Sequence, residues 1–332
     1  MSVFAKNITA WASRAAALAF ALTLAACTYD KKASLTPTLQ TPENKILDVK
    51  SRPDGTQFSD VLAEYKALND RIIHLQAPLR LANAQLCPQT ERDPGFITHR
   101  LEDYPPHMRG MAKEFLGLSE TGVFIRSVRR GSPAHIAQIQ EGDKVIAING
   151  KSVPDETNQA RFYQALARNA FNGEQTRIRL LSPQGQSYAT TLRAQTACDI
   201  PASVVFSEDI NGHTDGFEVF VTSALMTSVR DDVNLSLVLA HEMSHIIAGH
   251  AGLTPSAKLE LEADRMALVL MQNAGLDIEA AIKFWREASH PHARLQDTSK
   301  THPSIAERYE NFRVEQARIK AQISKGQKLT FH

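Results

Sequence analysis

The chain has 332 residues, 43% of them hydrophobic and 22% charged, with 37 Lys and Arg against 36 Asp and Glu for a formal net charge of +1. That profile is too apolar and too balanced for intrinsic disorder, and it lacks the basic excess of a nucleic-acid binder, so no nucleic-acid partner is expected. Three cysteines are too few for a disulfide scaffold, and the length suits about two domains.

Residues 1–26 have the layout of an export signal. Lys6 and Arg14 are the only charges before Cys27, and Ala15–Ala26 is a run of small and apolar residues plus Thr23. The run is too short to span a bilayer and suits the apolar region of a signal. It ends in Leu24-Ala25-Ala26-Cys27, which resembles the bacterial lipobox. That resemblance implies cleavage before Cys27, acylation of its thiol and a membrane contact through an N-terminal lipid anchor. Thr28 in the following position implies the outer membrane, facing the periplasm. An ordinary secretory signal cut at Ala25-Ala26-Cys27 is the alternative. Residues 27–55, rich in Thr and Pro, read as a tether, and 56–116 as an N-terminal helical segment. Because the periplasm is oxidising, Cys87 and Cys198 are expected to pair; two separate buried thiols are the alternative.

Residues 117–195 form a β-rich block. Gly122–Val128 alternates as a strand does, Gly131-Ser132-Pro133-Ala134 is a turn entering a short helix, and Gly142-Asp143 leads into a strand closed by Asn149-Gly150. Asn-Gly is a strong hairpin signal because both residues tolerate positive φ. A helix from Glu156 to Asn172 and a hairpin around Pro183-Gln184-Gly185 follow. The turn, strand and helix signals in this order resemble a PDZ domain of the bacterial protease type. The resemblance implies capture of an extended chain as an added strand, in a groove near Leu118–Ile125 and the helix from Glu156. Leu118-Ser119-Glu120-Thr121 departs from the usual Gly-rich carboxylate loop, so a spacer role stays open.

The stretch Leu235–His250 is a largely apolar helix carrying His241, Glu242 and His245. Four residues apart, the two histidines lie about 40° apart on one helix face, one turn along. Two imidazoles so placed can hold one Zn²⁺, with Glu242 beside them to act on the metal's water as general base. A third ligand is expected from a second helix, folded back after Gly252 and Pro255. There Glu260 and Glu262 point about 200° apart, so one of them can face the metal. Asp264 shares the face of Glu260 and can accept the other ring N–H of a ligand histidine. Glu260 is therefore read as ligand, Asp264 as its second-layer orienter and Glu262 as an outer-face charge or salt-bridge partner. The eleventh position from His241, where metzincins carry a third histidine, is Ala251. His250 falls about 180° round an extended helix and is read as structural.

His241-Glu242-Met243-Ser244-His245 followed by Glu260-x-x-Ala263-Asp264 resembles the gluzincin peptidases of the HtpX, Oma and CAAX-prenyl-protease family. Gly216–Leu225, Asp231-Asp232 and Ser299–Arg308 fit the same pattern. The resemblance covers about residues 200–325. It implies an α+β fold, with a mainly helical peptidase core and a small sheet over 199–325 beside the PDZ-like domain. It also implies a zinc metalloendopeptidase acting on protein or peptide substrates, misfolded or envelope proteins among them. The strand Gly216–Thr222 is expected to be the edge along which substrate lies. His302, in Thr301-His302-Pro303, is a catalytic candidate by the same resemblance, with an N-terminal helix element as its alternative; His290 and His292 read as surface loop. No apolar run of about 18 residues follows Cys27, which suits a compact form on a lipid anchor. The non-enzymatic alternative is a periplasmic PDZ-bearing chaperone or binding lipoprotein whose zinc is structural.

Overall fold

The computed structural model describes residues 58–104, 106–153, 170–288 and 303–329. The signal at 1–26, Cys27, the tether at 27–55, the start of the helix at Glu156, His290, His292 and His302 lie outside the described residues. The described residues divide into two compact units, 58–62 with 90–197, and 63–89 with 198–329. The protein is α+β, and among the described residues no helix is long and apolar enough to cross a membrane.

The first unit is built on strands. β1 (Thr90–Asp93) and β8 (Gln195–Cys198) pair as a two-stranded ribbon. A six-stranded sheet runs β2 (Phe96–His99), β3 (Phe124–Val128), β4 (Lys144–Ile148), β6 (Thr176–Leu181), β7 (Ser187–Leu192), with β5 (Lys151–Ser152) beside β4. The helix α2 (Arg109–Leu116) separates β2 from β3, and the short α3 (Pro133–Ile136) follows β3. Ser132 caps α3 by accepting from the His135 N–H at 3.2 Å, with Pro133 in the first turn. Asn149 and Gly150 turn the chain at φ 48° and 79°, as their dipeptide predicts. Ile125, Ile148, Ile178 and Leu180 fill the core, none measurably exposed.

Two expectations change here. The segment 56–116 is not helical throughout, since β1 and β2 lie in it and β2 belongs to the domain's sheet, ahead of residue 117. β3 cannot be the acceptor edge, because it is paired on both sides: Phe96 faces Val128 and His99 faces Phe124 across β2, while Phe124 faces Lys144 across β4. Among the described residues the end strands of the sheet are β2 and β7.

The second unit is mainly helical. From Ala63 onward α1 (Phe58–Ala82) belongs to it. Arg71 of α1 donates to the Met226 carbonyl at 2.8 Å and the Arg230 carbonyl at 2.7 Å, and Arg80 to the Cys198 carbonyl at 2.9 Å. A disulfide joins Cys87 to Cys198, and the Asp199 N–H donates to the Gln89 carbonyl at 3.0 Å. These bonds tie the two points at which the chain leaves and re-enters this unit.

A three-stranded sheet has the order β10 (Gly212–Thr214), β11 (Val219–Thr222), β9 (Ala202–Val205), with β11 antiparallel to β10 and parallel to β9. After the short α4 (Ser223–Ser228) come α5 (Asp232–Ile247), α6 (Ala257–Asn273), α7 (Ile278–Ala288) and α8 (Ile305–Ser324). Asp231 caps α5 by accepting from the Asn234 N–H at 3.0 Å. Ser304 and Glu307 form a capping box at the start of α8. Leu235, Leu239, Met243, Leu268, Leu270 and Phe312 pack between these helices, all 0–1% exposed. The centre strand β11 therefore cannot be a free edge; among the described strands β9 and β10 end the sheet, and β10 packs against α5.

Candidate metal centre

Two helices supply the donors. α5 carries His241 and His245 on one face and α6 carries Glu260 opposite. The His241 and His245 Nε2 atoms are 3.1 Å apart; Glu260 Oε2 is 3.3 Å from the first and Oε1 3.6 Å from the second. The three ligand atoms lie within 4.8 Å of one another, and His241 and Glu260 are buried. Two imidazoles and a carboxylate converging at that distance can hold one divalent metal ion.

Each ring is fixed from behind. His241 Nδ1 is 3.0 Å from Asp264 Oδ1. Asp264 takes a two-pronged hydrogen bond from Arg308 of α8, with Nε to Oδ2 at 2.8 Å and Nη2 to Oδ1. The Arg308 guanidinium lies 4.2 Å over the Trp285 ring of α7. His245 Nδ1 is 3.0 Å from His250 Nδ1, and His250 Nε2 is 3.8 Å from Glu262 Oε2. Spacing on an unbroken helix set His250 on the opposite side. α5 instead ends at Ile247, Gly249 turns at φ 68°, and His250 N–H donates back to the His245 carbonyl at 2.9 Å. His250 thus stands behind the ring of a candidate ligand, His245. Arg308 was visible in sequence only as part of the downstream motif; Trp285 gave no signal at all.

Burial and charge set the protonation states. Burial works against charge on His241, but its hydrogen bonds to Asp264 and Glu260 prevail and hold it well above the usual histidine range. The two carboxylates thus favour positive charge here. Burial first, then the His241 charge, push His245 down to about 3, leaving a neutral imidazole. Burial tends to raise Asp264 and Glu260, but Arg308 and His241 overcome it for Asp264, and the two histidines for Glu260, holding each at about 2. Glu242, 5% exposed, is raised by burial to about 7, with Glu260 adding to the rise and His241 and Arg308 opposing it.

Gly212 of β10 lies against this carboxylate. A Cβ there would sit 3.1 Å from Val238 Cγ1 and 3.7 Å from Glu242 Oε1, so the strand approaches α5 because the position is bare.

Residues 205–259 and 251–316 match Peptidase family M48, and residues 103–162 match the PDZ domain. The mitochondrial metalloendopeptidase OMA1 of Bos taurus is 29% identical, over 32% of this chain and 31% of its own. The Inactivation-no-after-potential D protein of Drosophila melanogaster is 37% identical over 16% of this chain and 8% of its own. The chain therefore spans less than a third of either curated relative. A solved PDZ domain of the carboxy-terminal protease from Vibrio cholerae, in complex with peptide, is 17% identical at a TM-score of 0.23, covering 32% of this chain and 97% of that one. With its donors converged between α5 and α6 inside the matched region, the chain carries a domain of peptidase family M48 together with a PDZ domain.

Proposed function

We propose that the protein is a zinc-dependent metalloendopeptidase of the bacterial cell envelope, held by a lipid anchor on Cys27 at the outer membrane and acting on misfolded or envelope proteins from the periplasmic side. The observation that supports the catalytic part is the convergence of His241, His245 and Glu260 with Glu242 buried beside them. Two imidazoles and one carboxylate suit zinc, and three protein ligands leave a coordination position open. A structural zinc site in a chaperone would call for a fourth donor; among the described residues three converge.

A divalent ion held here supplies Lewis acidity for hydrolysis of the scissile amide. Glu242 takes a proton from the attacking water and passes it to the leaving amine. Burial, which raises this carboxyl, suits it to receive and return a proton. Asp264 and Arg308 hold His241, and His250 holds His245, so neither ring has to reorient during the reaction. The free edge of β10, beside Glu242, accepts the extended substrate as an added strand. His302, ahead of α8, is proposed to donate to the oxyanion, and His302→Ala tests this through kcat. The PDZ domain receives protein chains before cleavage.

Cleavage of unfolded casein by the purified chain, with and without a chelator, tests the reading. Cleavage that stops with chelator and returns with zinc supports it. Metal-independent cleavage, or none under any metal loading, refutes it. Incorporation of labelled palmitate at Cys27, absent from Cys27→Ser, tests the anchor.

A further inference from the structure

We propose that the PDZ domain takes an internal stretch of an extended polypeptide along β2, and not a free C-terminus, because the carboxylate-receiving place at the start of that strand is filled by the chain's own Asp93. The inference rests on the reading that this domain receives protein chains.

Among the described residues β2 and β7 end the six-stranded sheet. β7 alternates exposed and half-buried side chains along an open flank. β2 differs: Phe96, Thr98 and His99 are 9%, 6% and 3% exposed. The side chains of β2 are thus mostly held against the domain, with Ile97 half-buried, and an added strand there would extend the main-chain ladder.

Capture of a terminal carboxylate beside such a strand uses a nest of free backbone N–H groups where the strand begins. Here that place is Pro94-Gly95-Phe96. Pro94 has no N–H. The Gly95 N–H donates to Asp93 Oδ1 at 2.6 Å. Asp93 is 7% exposed, and its other oxygen takes Arg129 Nη1 at 2.7 Å. The Gly95 N–H is therefore taken internally, and the charge of the nearby cation is already paired with Asp93, although Arg129 Nη2 is buried without a hydrogen-bond partner. A second carboxylate would add a like charge to a buried one.

The loop is held in this form. Pro94 and Gly95 carbonyls accept from the Ala134 and Arg129 N–H groups at 3.0 and 2.8 Å. Gly95, at φ 86°, lies so close to Ser132 that a Cβ would come within 2.1 Å of the Ser132 Cβ. Arg92 reaches the Phe171 carbonyl at 3.1 Å and Thr196 Oγ1 at 2.6 Å. An internal segment needs no end group, only the open main-chain edge.

The test uses the full chain carrying Glu242→Gln, which removes cleavage, and two phage libraries of random peptides. One displays the peptide flanked on both sides by coat protein; the other ends in a free carboxylate. Enrichment from the flanked library, with amidation of the synthetic peptides changing Kd by less than about threefold, is the expected result. Asp93→Ala frees the Gly95 N–H and Arg129, and should gain at least about tenfold affinity for peptides with a free C-terminus. Enrichment of free-carboxylate peptides whose binding is lost on amidation would overturn the inference while leaving the PDZ reading standing. No enrichment from either library would overturn both. Should Asp93→Ala fail to fold, the comparison on the chain with native Asp93 still decides. Casein cleavage by the wild-type chain reports on the peptidase reading separately.

Discussion

Removing the carboxylate of Asp264 should harm stability and metal affinity by separate routes. Asp264 is 0% exposed and Arg308 5% exposed, so Asp264→Ala strands a guanidinium in the interior. Breaking one side of a buried ion pair costs about 3–5 kcal/mol. Loss of the Nδ1 acceptor behind His241 should weaken metal binding about 10–100-fold. Replacing both partners, Asp264→Leu with Arg308→Leu, should recover most of the stability, because a packed apolar pair often matches a buried ionic one. It should not recover the affinity. The folded-state pKa of Asp264 is depressed to about 2. Its contribution is therefore present above the ordinary carboxylate range, and it is lost as pH falls from about 4 towards 2. Urea denaturation of the metal-free chains at pH 7 and pH 3, with indicator competition for zinc affinity, reads all three quantities. A cost of Asp264→Ala below about 1 kcal/mol at pH 7, the scale of a surface change, would refute the reasoning.

His250→Ala should lower zinc affinity about 10–100-fold, while Glu262→Ala, at the half-exposed far end of that contact, should change it much less, both by indicator competition. Gly212→Val should cut kcat/KM by at least about tenfold and destabilise by about 1–3 kcal/mol, because the added methyls meet Val238 and crowd Glu242. Reducing or replacing Cys87–Cys198, which closes a separation of 111 residues, should cost about 4–5 kcal/mol in denaturant titrations.

The metal centre was legible where one helix's own geometry decides. His241 and His245 at i and i+4, and Glu260 with Asp264 at the same spacing, must share faces whatever surrounds them. His250 was misplaced because the helical angle was carried past Ile247; Gly249, a common helix-ending residue, was the available signal. Arg308 and Trp285 reach the site from α8 and α7, and no periodicity encodes which helices meet. Strand order fails for a related reason. Alternation marks β3 and β11 as strands but says nothing of their neighbours, and β2 and β10, at four and three residues, are too short to announce themselves. The edges, where added chains are proposed to bind, were thus the least legible part of a well-marked sequence.

The central claim is that Glu242 moves protons beside a metal held by His241, His245 and Glu260. Its most direct test is Glu242→Gln measured twice on the same preparation, for bound metal by elemental analysis and for casein cleavage. The account predicts one zinc ion per chain in both wild type and variant, and cleavage by the wild type alone. A variant that cleaves as fast as wild type, or a wild type that cleaves with no bound metal, would contradict it.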